Sequence, residues 1–186
     1  MKKVVIFAMT VLFATAVFPT QAQVKQEKIQ IKDTKKELKT ERKALRKLEG
    51  TKVSDLAKTQ FKSDFGNATN VVWKRFDTFD QATFTKDRQK MTAYYDENAK
   101  LVGTTEPKKF TDLPANAQQE IKTKYKDYTV GAVIFYNDNE ANETDMILYR
   151  TQFDDADTYF IELTKDNKTT VLQVDMAGVI TFFKKI

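Results

Sequence analysis

Residues 71–105 read VVWKRFDTFDQATFTKDRQKMTAYYDENAKLVGTT, and this stretch decides the fold. Val71–Phe76, Asp80–Lys86, Met91–Tyr95 and Lys100–Thr105 are rich in β-branched and aromatic residues and predict four strands. Asp77-Thr78, Asp87-Arg88 and Asp96-Glu97-Asn98 predict the turns between them. Gaps this short join antiparallel neighbours, because a parallel pair needs a crossover of about a dozen residues. Just upstream, Val53, Leu56, Ala57, Gln60, Phe61 and Phe65 follow helical spacing, and Gly66 stops the helix.

The same order returns downstream. Phe110-Thr111-Asp112-Leu113-Pro114 opens a second helix, capped by Asp112 or Thr111 with Pro114 in its first turn. Ala117, Ile121 and Tyr125 share one face of it, at the spacing of Phe61 and Phe65. Strands are predicted at Tyr128–Tyr136, Met146–Phe153, Thr158–Thr164, Thr169–Val174 and Val179–Phe183, with a long polar loop over Asn137–Thr144. Met91–Asp96 followed by Leu101-Val102 answers Thr169–Asp175 followed by Val179-Ile180. The expected fold is α+β, a tandem repeat of one helix packed on a four-stranded antiparallel sheet, with room for a fifth strand in the second copy. The repeats are 51–109 and 110–186. One helix covers one face of each sheet, so the opposite face is expected to meet solvent.

Outside this region the chain changes character. Lys2 and Lys3 precede the apolar run Val4–Phe18, Pro19 breaks it, and Thr20-Gln21-Ala22 offers a small-residue processing site. Residues 1–22 have the layout of a secretory signal peptide, too short for a membrane span of about 20 apolar residues. Cleavage near Ala22 would leave 164 of the 186 residues in the periplasm or outside the cell. Residues 23–50 form a charged amphipathic helix or linker, with Ile31, Leu38 and Leu45 at seven-residue intervals, Leu48 three further on, and helix limits near Asp33 and Gly50.

The net charge of +5 is uneven: residues 1–22 carry +2, 23–50 carry +5 and 51–186 carry −2. The folded region therefore lacks the basic stripe of a nucleic-acid binder. The basic 23–50 segment reads as a solvated spacer helix, as a self-association element, or as the part of an envelope-stress or scaffold protein that makes weak contact with an anionic membrane surface or polymer. The chain has no His and no Cys. This removes the Ser-His-Asp triad, imidazole bases, thiolate nucleophiles, disulfides and Cys- or His-ligated metals. No catalytic, cofactor-binding or metal-binding set is predicted. Asn137-Asp138-Asn139-Glu140 with Glu143 and Asp145 lacks the glycine and spacing of a calcium loop. Asp154, Asp155 and Asp157 crowd one turn without the pocket that would separate their pKa values for hydrolysis.

Several short pieces carry a resemblance: Val71-Val72-Trp73, Ala82-Thr83-Phe84, Ala93-Tyr94-Tyr95-Asp96 with Leu101 after the turn, and Phe110-Thr111-Asp112-Leu113-Pro114. In order and spacing, over about 52–186, the chain resembles the exported PepSY-like proteins common in Bacteroidetes, whose fold is similar to that of beta-lactamase-inhibitor protein. The resemblance implies tandem helix-plus-four-strand repeats and a periplasmic or secreted binding or inhibitory module, without cofactor or catalytic centre. Its partner would be a protein of the cell envelope. Aromatic and arginine side chains suit such contacts, so Trp73, Phe84, Tyr94 and Tyr95 are candidates in the first unit, and Tyr149, Arg150, Phe153 and Tyr159 in the second. Each group is also readable as packing within the domain: Trp73 as core under its helix, the second group as cross-strand pairs. Alternation puts Val71 and Trp73 on one face and Val72, Lys74 and Phe76 on the other, and leaves open which one the helix covers.

Overall fold

The computed structural model describes residues 21–76 and 79–186. The chain divides into two units, Met1–Thr40 and Glu41–Ile186. Helix α1 (Gln21–Glu49) begins in the first and ends in the second. It starts well before Asp33, since Gln, Glu and Lys sustain a helix and no Gly or Pro interrupts them. It ends at Gly50, whose φ of +59° is the left-handed stop. Apart from Gln21 and Ala22, the residues read as a signal peptide lie outside the described ones, as does the Asp77-Thr78 turn.

In the second unit, α2 (Asp55–Phe65) precedes β1 (Thr69–Arg75), β2 (Asp80–Lys86), β3 (Gln89–Tyr95) and β4 (Leu101–Lys108). A 3-10 turn (Phe110–Asp112) leads into α3 (Ala115–Lys124), then β5 (Thr129–Asp138), β6 (Met146–Leu148), β7 (Thr151–Phe153), β8 (Thr158–Lys165), β9 (Lys168–Asp175) and β10 (Ile180–Lys185). Asp112 caps the 3-10 turn, accepting from Lys109 N at 2.7 Å, while Pro114 holds the N-cap position of α3. The two sets of strands do not stay apart. β4 pairs with β5 and fuses them into one antiparallel sheet of order β1-β2-β3-β4-β5-β8-β9-β10. The extra strand of the second copy is absent from it. Met146–Phe153 is instead the separate hairpin β6–β7, turning at Tyr149-Arg150. Both turn residues have positive φ (51° and 60°), the geometry of a two-residue hairpin turn. Tyr and Arg carry no turn signature, so the run reads as one strand.

The duplication is regular. Ala57, Phe61 and Phe65 of α2 correspond to Ala117, Ile121 and Tyr125 of α3, 60 positions on. A bulge falls between Thr69 and Val72 in β1 and between Val130 and Val133 in β5. From β2 and β8 onward the offset is 79: Thr83↔Thr92 matches Glu162↔Val171, and Ala99 matches Gly178 at positive φ in the next turn. The nineteen residues gained between β5 and β8 contain the β6–β7 hairpin.

Both helices pack on one face. Under α2 lie Ala82, Phe84, Ala93 and Tyr95, with Trp73 at the margin. Under α3 lie Val133, Ile161, Leu163, Leu172 and Val174. Each large apolar side chain withdrawn here contributes roughly 1.5–3 kcal/mol. A third cluster occupies the opposite face, where Met146 and Phe153 of the hairpin cover Tyr94, Val102, Tyr136, Phe160 and Val171. The face expected to be bare is therefore covered in part by its own chain.

Candidate docking surface on the outer face of the sheet

Strand alternation sorts the side chains. In β2, Asp80, Ala82 and Phe84 point under α2, so Gln81, Thr83 and Thr85 point to the outer face. The register carries this across the sheet: Thr83 opposes Thr92, and Thr92 opposes Thr105. Trp73 opposes Ala82 and is therefore on the helix side. Its ring meets Phe61 edge-on at 5.4 Å and Tyr95 at 6.1 Å.

The eight candidate residues consequently do not form one surface. Trp73, Phe84 and Tyr95 sit beneath α2, the last two at 1% and 0% exposure. Tyr94 and Phe153 are on the outer side but lie inside the hairpin cluster. Tyr159 is half-buried on the helix side, stacked at 4.7 Å on Phe135. Tyr149 is half-buried in the hairpin turn, with its hydroxyl donating to Glu162 Oε1 at 2.9 Å. Arg150 alone among them is exposed, at the hairpin tip. The other seven are packed within the domain, as the packing reading allows. The alternation of Ala82 and Phe84 with Thr83 and Thr85 carries the signal for the correct face: the apolar pair seeks the helix, and Trp73 follows by register.

The hairpin is pinned over the outer face by aromatic and polar contacts. Phe153 meets Tyr136 at 5.0 Å and Phe160 at 4.9 Å, both near-perpendicular. Asn139 and Asn142 side chains donate to Leu101 O at 2.7 and 2.9 Å, and Lys184 Nζ donates to Tyr149 O at 2.5 Å. At its base, Asp157 accepts from Asp138 N at 2.8 Å, and Tyr136 donates to Asp138 Oδ1 at 3.0 Å. Burial and the neighbouring Asp138 carboxyl push the pKa of Asp155 up to about 6. Burial likewise raises Tyr94, and it raises Tyr136 and Tyr149 with help from Asp138 and Glu162.

What remains uncovered is a strip towards the Asp87-Arg88 turn. Thr83, Thr85 and Thr92 are half-exposed there, and Val72 and Lys90 are exposed. Thr83 and Thr92 hydroxyls are 3.0 Å apart, and Thr105 bonds the Tyr94 hydroxyl at the same distance. A shallow depression of about 440 Å³ crosses the β3–β4–β5 seam, floored by Thr92, Thr105, Pro107 and Ile134. Such a strip offers apolar contact, hydroxyls and lysine ends without an internal cavity. It suits adhesion to another surface better than enclosure of a small molecule. Among the described residues, no group of three His, Cys, Asp or Glu side chains is placed to hold a metal, and no helix is long and apolar enough to cross a membrane.

The residue that sequence reading missed is Asp80. It is wholly buried, accepting from Arg75 Nε (2.6 Å) and Nη2 (3.0 Å) and from Ser54 N (3.1 Å), with Arg46 Nη2 at 3.6 Å. Desolvation lowers the pKa of Arg46, against the field of Asp80. Nothing local in DQATFTK marks this aspartate as buried.

No family model matches this chain, and no curated protein matches it. Solved structures do. A BLIP-like protein from Bacteroides fragilis is 16% identical, over 75% of this chain and 91% of its own, with a TM-score of 0.56. A DUF2874 family protein from Bacteroides uniformis is 12% identical over 73% and 89%, with a TM-score of 0.57. A Bacteroides eggerthii protein provisionally assigned to the periplasm is 13% identical over 73% and 88%, also at 0.57. The chain has a BLIP-like fold, shared with Bacteroides proteins across nearly their whole length.

Proposed function

We propose that this chain is an exported, non-catalytic binding module that holds, and by covering it modulates, a protein of the cell envelope. The observation that carries the reading is the division of the outer face: the hairpin covers one part, while the Thr83–Thr92 strip and its depression stay open. The BLIP-like fold, the basic-then-apolar start of the chain and a structural relative provisionally assigned to the periplasm support it. The lack of His and Cys fits a protein that binds without catalysing.

Photo-crosslinking in cells tests this. A photoreactive residue at Thr85 or Thr92 is expected to trap one discrete envelope protein. The same residue at Gln60 or Gln119, exposed on α2 and α3, is expected to trap none. Adducts only from the helix side, or none from the strip, would refute it.

A second reading concerns α1. Ile29, Ile31 and Leu38 are exposed at 52%, 55% and 45% on a helix rich in lysine, the make-up of a surface-seeking amphipathic helix. Binding to anionic vesicles that falls with salt and disappears on removal of residues 23–50 would support it.

A further inference from the structure

A second cavity lies apart from the outer-face strip. It measures about 420 Å³ and is lined by Arg46, Lys47, Gly50, Thr51, Arg75 and Phe76, where the last turn of α1 meets the end of β1. Both guanidinium groups share one buried carboxylate, Asp80. Asp96 and Glu97 also act on Arg46. Asp96, however, is committed to the backbone N–H groups of Asn98 and Lys100, at 2.7 and 2.9 Å.

Two observations point outward. Arg46 Nε is a buried donor with no acceptor among the described residues, a state that folded proteins rarely leave uncompensated. Phe76 is 43% exposed at the cavity's edge, with the Lys74 ammonium 4.5 Å above its ring. Among the described residues, Arg46, Lys47 and Arg75 line a hollow rimmed by Phe76, with Lys74 over that ring and Asp80 as the carboxylate that both arginines approach.

We propose that this cavity is a carboxylate-binding site for an acidic peptide segment of a partner. One carboxylate would lie between Arg46 and Lys47, and an apolar neighbour would lie on Phe76. Arg75 spends its bidentate edge on Asp80, and Arg46 Nη2 donates to Phe76 O at 3.3 Å, so what remains suits a single carboxylate rather than a phosphate, which seeks more donors. The apolar rim favours a peptide over a lipid headgroup. The site is independent of the outer-face strip, and either can fail without the other.

The test is amide-shift titration of the purified protein with the peptide acetyl-Ala-Phe-Glu-Glu-Ala-amide. Its Gln-Gln counterpart, acetate and inorganic phosphate serve as comparisons. The Glu peptide is expected to move Gly50, Thr51 and Phe76 and to weaken with salt. Lys47→Glu with Lys74→Glu should weaken it by about tenfold or more. Arg46→Lys, which keeps the charge but removes Nε, should weaken it with the helical signal unchanged, while Lys90→Glu on the outer face should leave it unaltered. No binding at low salt, equal binding of the Gln-Gln peptide, indifference to the Lys47 and Lys74 changes, or shifts confined elsewhere would overturn the proposal. Tighter binding of inorganic phosphate than of the Glu peptide would overturn the carboxylate assignment.

Discussion

The two repeats place different chemistry at one backbone position. In the first, Arg75 opposes Asp80; in the second, the equivalent pair is Phe135 opposite Tyr159. Both pairs sit on the helix side, one as a buried ion pair, the other as rings 4.7 Å apart. A buried ion pair is a poor source of stability, because desolvation opposes the Coulomb gain. Its use here is connection. Asp80 gathers Arg75 from β1, Arg46 from α1 and the Ser54 N–H before α2. The aromatic pair joins only its two strands. The repeats differ likewise on the outer face, where the second alone carries the hairpin. A duplicated fold can keep its register while one copy takes on an attachment and the other a cover.

The largest effect should come from breaking that hub. Asp80→Ala leaves two buried guanidinium groups without their carboxylate and should lower unfolding free energy by about 3–5 kcal/mol in a urea titration. Converting the site to the second repeat's chemistry, Arg75→Phe with Asp80→Tyr and Arg46→Met, should recover most of that loss. A mild Asp80→Ala effect would mean that the carboxylate is not the tie. Next is the cover. Phe153→Ala removes the ring between Tyr136 and Phe160 and should cost about 3 kcal/mol. It should also raise binding of an apolar dye, as the second repeat's outer face opens.

Smaller effects separate the equivalent turns. Gly178→Ala places a methyl group at φ +83°, 2.1 Å from Asn116 Oδ1, and should lower stability by about 1–2 kcal/mol. Ala99→Gly relieves the same left-handed strain at φ +58° and should raise stability slightly, by under about 1 kcal/mol, seen as a higher thermal midpoint. Of similar size to these turn effects is the pH effect at the hairpin base. With its pKa pushed up to about 6, Asp155 keeps a proton that the unfolded chain releases near about 3.9. Its contribution to stability is full below about pH 4 and is lost as pH rises through about 6. Urea midpoints at pH 5 and 7.5 should differ in the parent protein and converge in Asp155→Asn.

The helices, most strands and the Asp87-Arg88 and Asp96-Glu97-Asn98 turns were legible because they rest on local rules: 3.6-residue spacing, alternation, and Asp or Asn in turns. Asp87-Arg88 turns as expected, at positive φ. Tyr149-Arg150 turns against its own preferences, held by Phe160, Phe183 and Glu162, which are distant in sequence. The same non-locality hid the candidate site. The aromatics of β1–β3 look like an adhesive surface until register fixes their side, and the hairpin's cover over Tyr94 depends on pairing between residues fifty or more apart. Conversely, Thr83 and Thr92 look inert in sequence and gain interest only because nothing among the described residues lies over them.

Because the chain has no cysteine, a single introduced thiol can report the division of the outer face directly. Thr92 and Val171 are equivalent outer-face positions, one half-exposed and the other at 0% exposure under the hairpin cluster. Labelling of Thr92→Cys by a soluble thiol reagent should approach the rate of an unfolded control, while Val171→Cys should react slower by about a hundredfold or more, at the pace of local opening. Equal rates at the two positions would contradict the account, because the strip would then be no more open than the face beneath the hairpin.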